Sequence, residues 1–205
     1  MGGWTQTDPG PGKLLVWAGL AATASGVLAL LLPAAPPHPA DAGAVPHGTA
    51  APGRAAGAHS PPVTLTVPGH VAALPIDPVA AARDGSLAVP PSPSRLGWWA
   101  LGAHPGAPHG TVLLAGHIDS AEEGAGPFEA LHAVPLGARA QVSAADGTRH
   151  TYRIVARRTY RKDALPKDLF TARGTPRLVL VTCAGDFDPD TRVYAENLIL
   201  YGVPA

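Results

Sequence analysis

The stretch "RLVLVTCAG", residues 177–185, decides how this chain is interpreted. Residues 177–182 have the apolar texture of a buried strand, and the next residue, Cys183, is the only cysteine in the chain. A lone thiol is an inert core residue, half of an intermolecular disulfide, or a nucleophile. A polar Gly/Asp/Pro loop follows Cys183, which puts the thiol at a strand end facing a cavity mouth and favours the nucleophile.

A second apolar run ends in the same way. In "LLAGHIDS", residues 113–120, His117 follows a buried strand and Gly116 leaves space beside it. A thiol with an ordinary pKa of about 8.5 is mostly protonated near neutral pH, so a nucleophilic cysteine needs a base or a cation. Imidazole can take that proton and later return it to a leaving amine. Arg192, just before the last predicted strand, is the candidate for binding an oxyanion.

Short apolar runs separated by Gly/Pro turns fill the chain from residue 62 onward. This pattern predicts an all-β barrel or sandwich with roughly eight strands. The predicted strands lie at 63–67, 71–76, 86–89, 111–116, 177–182 and 196–203, with a hairpin in 138–160 around Asp146-Gly147. Helical signals are weak and confined to "PFEALHAV" and "DALPKDLF".

The N-terminal region has a different composition. Residues 14–32 carry no charge and would span about 28 Å as a helix, close to the hydrocarbon thickness of a bilayer. The stretch is longer than the apolar core of most signal peptides, so an uncleaved anchor is favoured, with cleavage near "PADA" as the alternative. Lys13 on the N-terminal side predicts a single-pass protein with residues 1–13 in the cytoplasm and the bulk of the chain outside.

Residues 33–61 are rich in Pro, Ala and Gly and contain almost no large apolar side chains. We therefore expect a disordered spacer between the anchor and a folded domain at 62–205. The histidines of the spacer are scattered among prolines. His104 and His109 lie in a Gly/Pro loop near His117 and Asp119, without the regular spacing of helical metal sites. The sequence accordingly predicts neither a metal nor a cofactor.

The charge balance excludes a polyanion as partner. Lys and Arg together number 15, as do Asp and Glu. The basic residues between 149 and 162 alternate with other residues and are interpreted as the solvated face of a strand. No nucleic-acid partner is therefore predicted.

The combination of "LLAGHIDS", "LVTC" and an arginine before a final strand resembles the sortase family. "GWW" at 97–99 and "DGSLAVPP" at 84–91 resemble the actinobacterial class F subgroup, which is sometimes grouped near class E. The resemblance covers residues 62–205. Two departures are visible: Ala184-Gly185 replaces the two glycines common after the class F cysteine, and Ala195 lies where sortases commonly place their arginine.

This resemblance implies a closed eight-stranded β-barrel with short helices, on the outer face of a Gram-positive membrane. Such transpeptidases cleave an LPxTG-like sorting signal of surface proteins between Thr and Gly. Cys183 would form a thioacyl intermediate, and His117 would protonate the departing amine and deprotonate an incoming amine from a peptidoglycan precursor. Arg192 would hold the substrate carbonyl or the oxyanion.

Two neighbouring residues are weaker candidates. Thr182 is a candidate for positioning the substrate, and Asp119 is a candidate for orienting the His117 loop. For each of them, a purely structural role is the alternative.

Two other functional classes remain open at this stage. One is a surface-tethered cysteine hydrolase or an unrelated cysteine transpeptidase that crosslinks the cell wall. The latter usually carries S-x-G-C before its nucleophile, a motif that "LVTC" lacks. The other is a non-catalytic extracellular binding module. The module would tolerate the loss of Cys183, whereas an enzyme would lose turnover.

Overall fold

The computed structural model of the chain describes residues 40–48, 60–81 and 87–205. Among these residues no helix is long and apolar enough to cross a membrane. The predicted anchor at 14–32 and the tail at 1–13 lie outside them. The strands are β1 (Ala42–Gly43), β2 (Pro62–Val67), β3 (Val71–Val79), β4 (Leu96–Trp99), β5 (Thr111–Ala115), β6 (Asp119–Ser120), β7 (Gly124–Ala125), β8 (Arg139–Ala144), β9 (Arg149–Arg161), β10 (Arg177–Asp188) and β11 (Val193–Pro204).

Eight of these strands close into a barrel. Their order is β9-β11-β10-β5-β4-β3-β2-β8, and β8 pairs back onto β9. The pairs β3–β4 and β10–β5 are parallel, and the remaining barrel pairs are antiparallel. Closure leaves no unpaired sheet edge. The predicted closed eight-stranded barrel is confirmed, and the weak helical signals correspond to short 3-10 segments at Pro127–Ala133, Lys162–Ala164 and Lys167–Leu169.

The barrel wall formed by β5, β10 and β11 is buried on both faces. Leu178 and Leu180 point into the barrel core, whereas Val179 packs in a second apolar cluster on the outside of the wall. This outer cluster is covered in part by Leu165 and Leu169, which belong to the loop at 162–176. Since alternate strand residues face opposite sides, burial of both faces requires a continuous apolar run. "TVLLA" and "RLVLV" are such runs.

The structure departs from the predicted strands in several places. Strand β10 continues to Asp188, so Cys183 lies inside this strand, and part of the polar stretch predicted as a loop is paired with β11. The strand predicted at 86–89 is reduced to an isolated bridge between Ala81 and Leu87. In its place Leu96–Trp99 forms β4, because Trp98 fills the barrel core and its backbone pairs in parallel with β3. The predicted packing role of Trp98 is thereby confirmed, and Trp99 packs edge-on against Phe170.

The expectation of a disordered spacer is wrong for residues 40–48. Ala42–Gly43 pairs with β9, and the carbonyl oxygens of both residues accept hydrogen bonds from Arg158 at 2.7 and 2.6 Å. A Cβ at Gly43 would lie 2.0 Å from the carbonyl oxygen of Val155, so the close approach requires glycine. The composition argument failed because this segment is held mainly by hydrogen bonds to its backbone carbonyl oxygens. In addition, the carboxylate of Asp41 accepts from the Thr159 amide at 2.8 Å, and Val45 packs against the outer apolar cluster.

Arg177 anchors the same segment to the barrel. Its guanidinium donates to the carbonyl oxygen of Pro46 at 3.1 Å, to the hydroxyl of Thr111 at 3.0 Å and to the carboxylate of Asp168 at 3.1 Å. Only 5% of Arg177 is exposed, and the guanidinium also lies 5.6 Å from the ring centroid of Tyr201. One buried side chain therefore links the N-terminal segment, β5 and the loop at 162–176.

Replacing this side chain is expected to destabilise the fold. Arg177→Ala leaves several acceptors without their donor and should lower the free energy of unfolding by about 2 kcal/mol. Arg173→Ala removes an exposed arginine from the same loop and should change it by less than about 0.5 kcal/mol. Urea unfolding of the two variants measures the difference. Equal stabilities would contradict the anchoring role of Arg177.

Candidate active site

The parallel pairing of β5 with β10 brings Cys183 and His117 together. The register runs from Arg177 opposite Thr111 to Val181 opposite Ala115. Each pair differs by 66 positions (177 − 111 and 181 − 115), and Cys183 and His117 differ by the same number. The pairing continues past the end of β5, since the Gly116 amide donates to the Val181 carbonyl at 3.1 Å. Strand alternation then places both side chains on the outer face of the barrel wall, in the rows that contain Val181 and Ala115.

Thr182 fixes this junction from the other face. Its hydroxyl donates to the carbonyl oxygen of Gly116 at 3.0 Å, and only 2% of the residue is exposed. A Cβ at Gly116 would lie 2.7 Å from atoms of both Leu96 and Phe128, so this position has room only for glycine. The hydroxyl of Thr182 thus holds the His117 loop against β10. A direct role of Thr182 in substrate binding stays a prediction.

Opposing electrostatic effects act on the Cys183 thiol. The residue is half-buried, and this burial raises the pKa of the thiol above its ordinary value. The positive charge of Lys162 acts in the opposite direction, and the carboxylate of Asp119 adds to the increase. The backbone carbonyl of Cys183 lies 3.3 Å from Nε2 of His132, in the 3-10 segment Pro127–Ala133. A cation and an anion contributed by different elements therefore act on the thiol in opposite directions.

Two cavities meet at the thiol. The first, of about 490 Å³, is mostly apolar and is lined by residues that include Leu113, Val181 and Leu169. We call it the apolar cavity. The second, of about 500 Å³, is lined by Asp119 and Arg192 among others, and we call it the polar cavity. Three described residues line both of them, namely His117, Lys162 and Cys183.

Arg192 reaches the polar cavity from the turn between β10 and β11. Its φ of 56° is left-handed, which is uncommon for a residue with a side chain. The turn is shaped by Asp188, whose carboxylate accepts hydrogen bonds from the amides of Asp190 at 2.9 Å and Thr191 at 3.3 Å. Arg192 is exposed. The structure thus brings the predicted arginine into the same cavity as Cys183 and His117.

Asp119 is joined to β11 through Tyr194. The Tyr194 hydroxyl donates a hydrogen bond to the Asp119 carboxylate, and this bond raises the pKa of Tyr194 to about 12. Tyr194 therefore stays protonated at physiological pH and remains a donor. Its ring also packs against Phe187, with the centroids 5.0 Å apart. The hydrogen bond between Tyr194 and Asp119 holds the loop that carries His117 against β11, the strand that follows Arg192. It is consistent with the predicted role of Asp119 in orienting the loop.

Sequence reasoning missed three residues of the site. Lys162 was assigned to a solvated strand face, and Tyr194 and Asn197 were not singled out. Asn197 is the cross-strand partner of Cys183 and lines the apolar cavity. Pairing "LVTC" with the final strand as a hairpin would have identified Asn197. Lys162 could not be found in this way, because it follows β9, a strand that pairs with β11 and not with β10. Among the described residues no group of three or more His, Cys, Asp or Glu side chains is placed to hold a metal ion.

The chain is thus a closed β-barrel protein in which a thiol on β10 and an imidazole just after β5 occupy corresponding positions of two parallel strands, and these are the two groups that nucleophilic catalysis by cysteine uses. The sortase domain family matches residues 65–205, which is more than half of the chain. The chain therefore belongs to the sortase family, as its motifs predicted. No curated protein sequence matches the chain significantly.

Solved sortase structures share the fold. Sortase C1 from Streptococcus agalactiae is 20% identical, with a TM-score of 0.50, over 70% of this chain and 66% of that chain. Sortase A from Corynebacterium diphtheriae is 18% identical, with a TM-score of 0.52, over 72% of this chain and 62% of that chain. This chain thus spans slightly less than two thirds of the length of these two proteins. At such identities the likeness shows the fold alone.

Removing the Tyr194 hydroxyl is expected to loosen the His117 loop. Tyr194→Phe keeps the packing against Phe187 but loses the bond to Asp119, so amide hydrogen exchange across residues 117–120 should accelerate about fivefold, as for a net loss of about 1 kcal/mol. In the matched control Tyr152→Phe, the lost hydroxyl accepts from the Gly106 amide at 3.2 Å. In Tyr152→Phe, hydrogen exchange across residues 117–120 should be unchanged. Unchanged exchange across the same residues in Tyr194→Phe would contradict the role of the contact between Tyr194 and Asp119.

Proposed function

We propose that the chain is a membrane-anchored cysteine transpeptidase of class F type that cleaves an LPxTG-like sorting signal and transfers its acyl group to a cell-wall amine. The observation that carries this proposal is the position of Cys183 and His117. They extend the β5–β10 register to the junction of an apolar and a polar cavity. Such a junction suits acyl transfer in two steps, because the donor must first reach the thiol and the acceptor amine must then reach the thioacyl carbonyl.

The proposed reaction moves one acyl group and two protons. The thiolate of Cys183 attacks the Thr carbonyl carbon of the sorting signal, and the resulting oxyanion is stabilised by the guanidinium of Arg192. The C–N bond to Gly then breaks as the imidazolium of His117 gives its proton to the leaving amine. In the second half-reaction His117 takes a proton from the incoming amine. The amine nitrogen attacks the thioester, and the thiolate leaves.

The two cavities suit the two substrates. The apolar cavity, with Leu113, Val181 and Leu169 in its lining, suits the apolar Leu-Pro portion of a sorting signal. The polar cavity carries the carboxylate of Asp119, which suits an incoming amine of a peptidoglycan precursor. Surface proteins that bear the signal would therefore be donors, and wall precursors would be acceptors.

Both departures from the class F pattern are compatible with this assignment. Ala184 faces the barrel core and is 3% exposed, so its methyl group contributes to packing instead of occupying the site. Gly185 has a φ of +79°, so the second glycine is kept where the backbone needs it. Arg192 compensates for Ala195, since the left-handed turn directs it into the polar cavity. The "GWW" and "DGSLAVPP" motifs support the subgroup.

The central test follows acyl transfer by mass spectrometry. The chain is incubated with an LPxTG peptide and triglycine, and we expect a thioacyl adduct on Cys183 that resolves into the triglycine product. Cys183→Ala should abolish both species, and His117→Ala should block turnover. Arg192→Ala should lower the rate about 100-fold or more, while Arg192→Lys should recover part of it.

Each alternative gives a different result in this assay. Release of the free acid with no triglycine product would indicate a hydrolase. If no sorting peptide acylates Cys183 and the thiol resists alkylation in the folded chain, the chain is a binding module. An unchanged rate for Arg192→Ala would remove Arg192 from the oxyanion role while leaving the transpeptidase assignment intact.

We also propose a location for the chain: residues 1–13 in the cytoplasm, 14–32 across the cell membrane and the catalytic domain at 62–205 outside, after a spacer. The uncharged stretch and Lys13 support this topology. The segment 40–48 belongs structurally to the barrel, so the free spacer is shorter than 33–61.

Extraction distinguishes an anchor from a cleaved signal. The full chain should stay with membranes through an alkaline carbonate wash and dissolve in detergent. Leu20→Arg with Ala24→Arg should release it, because each central arginine costs about 3 kcal/mol of insertion. Leu20→Ala with Ala24→Leu preserves hydropathy and should remain bound. A soluble product whose intact mass shows cleavage near "PADA" would refute the anchor.

A further inference from the structure

Lys162 approaches the thiol from a part of the chain that the sequence motifs do not include. Strand β9 ends at Arg161, which is paired with Glu196 of β11, and Glu196 is paired with Ala184 of β10. Lys162 follows directly in the 3-10 segment Lys162–Ala164. The sheet order therefore brings the end of β9 near the position of Cys183 in β10, with only β11 between them.

The side chain of Lys162 reaches the candidate site from this position. It lines both the apolar and the polar cavity, a property that it shares with His117 and Cys183 among the described residues. The positive charge of Lys162 also acts on the Cys183 thiol, in the direction that favours the thiolate. Arg192 differs from it, because that cation lines the polar cavity and not the apolar one.

We propose that Lys162 is a further catalytic residue, whose ammonium group forms an ion pair with the thiolate of Cys183 in the free enzyme. Its catalytic meaning rests on the proposed function, but the ion pair itself can be measured without any substrate. The chemical reason is the half-buried position of Cys183 next to Asp119, where an anionic sulfur needs a cation within reach. When the thiol ionises, its proton passes to His117, and Lys162 keeps its own three protons.

Other charged groups surround the thiol from each neighbouring element, and none duplicates this contact among the described residues. Asp119 opposes ionisation of the thiol. Tyr194 stays neutral because its pKa is about 12. His132 contacts the backbone carbonyl instead of the sulfur. The remaining groups are His117 from the loop after β5, Arg192 from the turn before β11 and Glu196 on β11.

The test measures the rate of Cys183 alkylation by iodoacetamide against pH in the substrate-free full chain. The thiolate displaces iodide from the reagent, so the rate reports the thiolate fraction of the only cysteine. Lys162→Met keeps the length of the side chain and removes the charge. We expect its profile to move up by about one pH unit, which is about a tenfold slower alkylation at pH 7. Lys162→Arg should restore most of the wild-type profile.

The matched control is Lys167→Met. Lys167 is an exposed lysine in the next 3-10 segment, Lys167–Leu169, and its replacement removes the same charge from the same loop. We expect its alkylation profile to coincide with that of the wild type. An equal shift in Lys167→Met would reduce the effect to general charge and overturn the proposal. A Lys162→Met profile that coincides with the wild type, or a Lys162→Arg profile that matches Lys162→Met, would overturn it as well.

A salt titration of the unaltered chain provides a second measurement that needs no variant. Lys162 is exposed, so its attraction to the thiolate is screened by salt. Raising sodium chloride from about 0.05 M to about 1 M should move the wild-type profile toward that of Lys162→Met. A wild-type profile that does not respond to salt would count against the ion pair. Transpeptidation by the wild-type chain is measured separately. If the wild type transfers no acyl group but Lys162→Met shows the expected shift of the alkylation profile, the proposed function is refuted and the ion pair is retained.

Discussion

The site depends on one constraint, the parallel register between β5 and β10. These strands are separated in the chain by a crossover that contains the β8–β9 hairpin, yet the backbone pairs them with a fixed offset of 66 positions. A shift by one residue would turn either Cys183 or His117 toward the opposite face of the wall. The hydroxyl of Thr182 and the close packing at Gly116 hold this register at the end of the pairing next to Cys183 and His117. The position of the pair is therefore set by the backbone pairing together with the hydroxyl of Thr182.

Burial of both faces of the wall has a consequence for the thiol. The outer apolar cluster that covers Val179 and Ile199 continues toward Cys183 and removes part of its hydration. Burial that stabilises the strands thus also disfavours the thiolate. The compensating cation has to come from outside this cluster, since an apolar cover supplies none. The loop at 162–176 meets both requirements: Leu165 and Leu169 pack on the wall, and Lys162 lines both cavities together with Cys183.

Sequence patterns predicted the strands of this wall well, because runs such as "TVLLA" are explained only by burial on both faces. They also placed His117 after a buried strand and Arg192 just before the last strand, whereas Cys183, predicted to follow a strand, lies inside β10. The missed strand β4 is only four residues long, and its pairing is set by Trp98 in the core instead of by a periodic pattern. The alternation along 149–161 does indicate a solvated face, and Lys162 is exposed. That Lys162 also lines both cavities follows from the pairing of β9 with β11 and of β11 with β10, which local sequence does not encode.

Local sequence also failed to predict the structure of the segment at 40–48. Its low hydrophobicity predicted disorder, but Arg158 and Arg177 hold its carbonyl oxygens, and the energy of those bonds is contributed by residues more than 100 positions away. Arg177 also contacts Asp168 in the loop that covers the outer cluster. The N-terminal segment and the wall of the apolar cavity therefore share a buried anchor. The contact of this segment with the barrel therefore depends on side chains that are distant in the sequence, which the segment's own composition does not reveal.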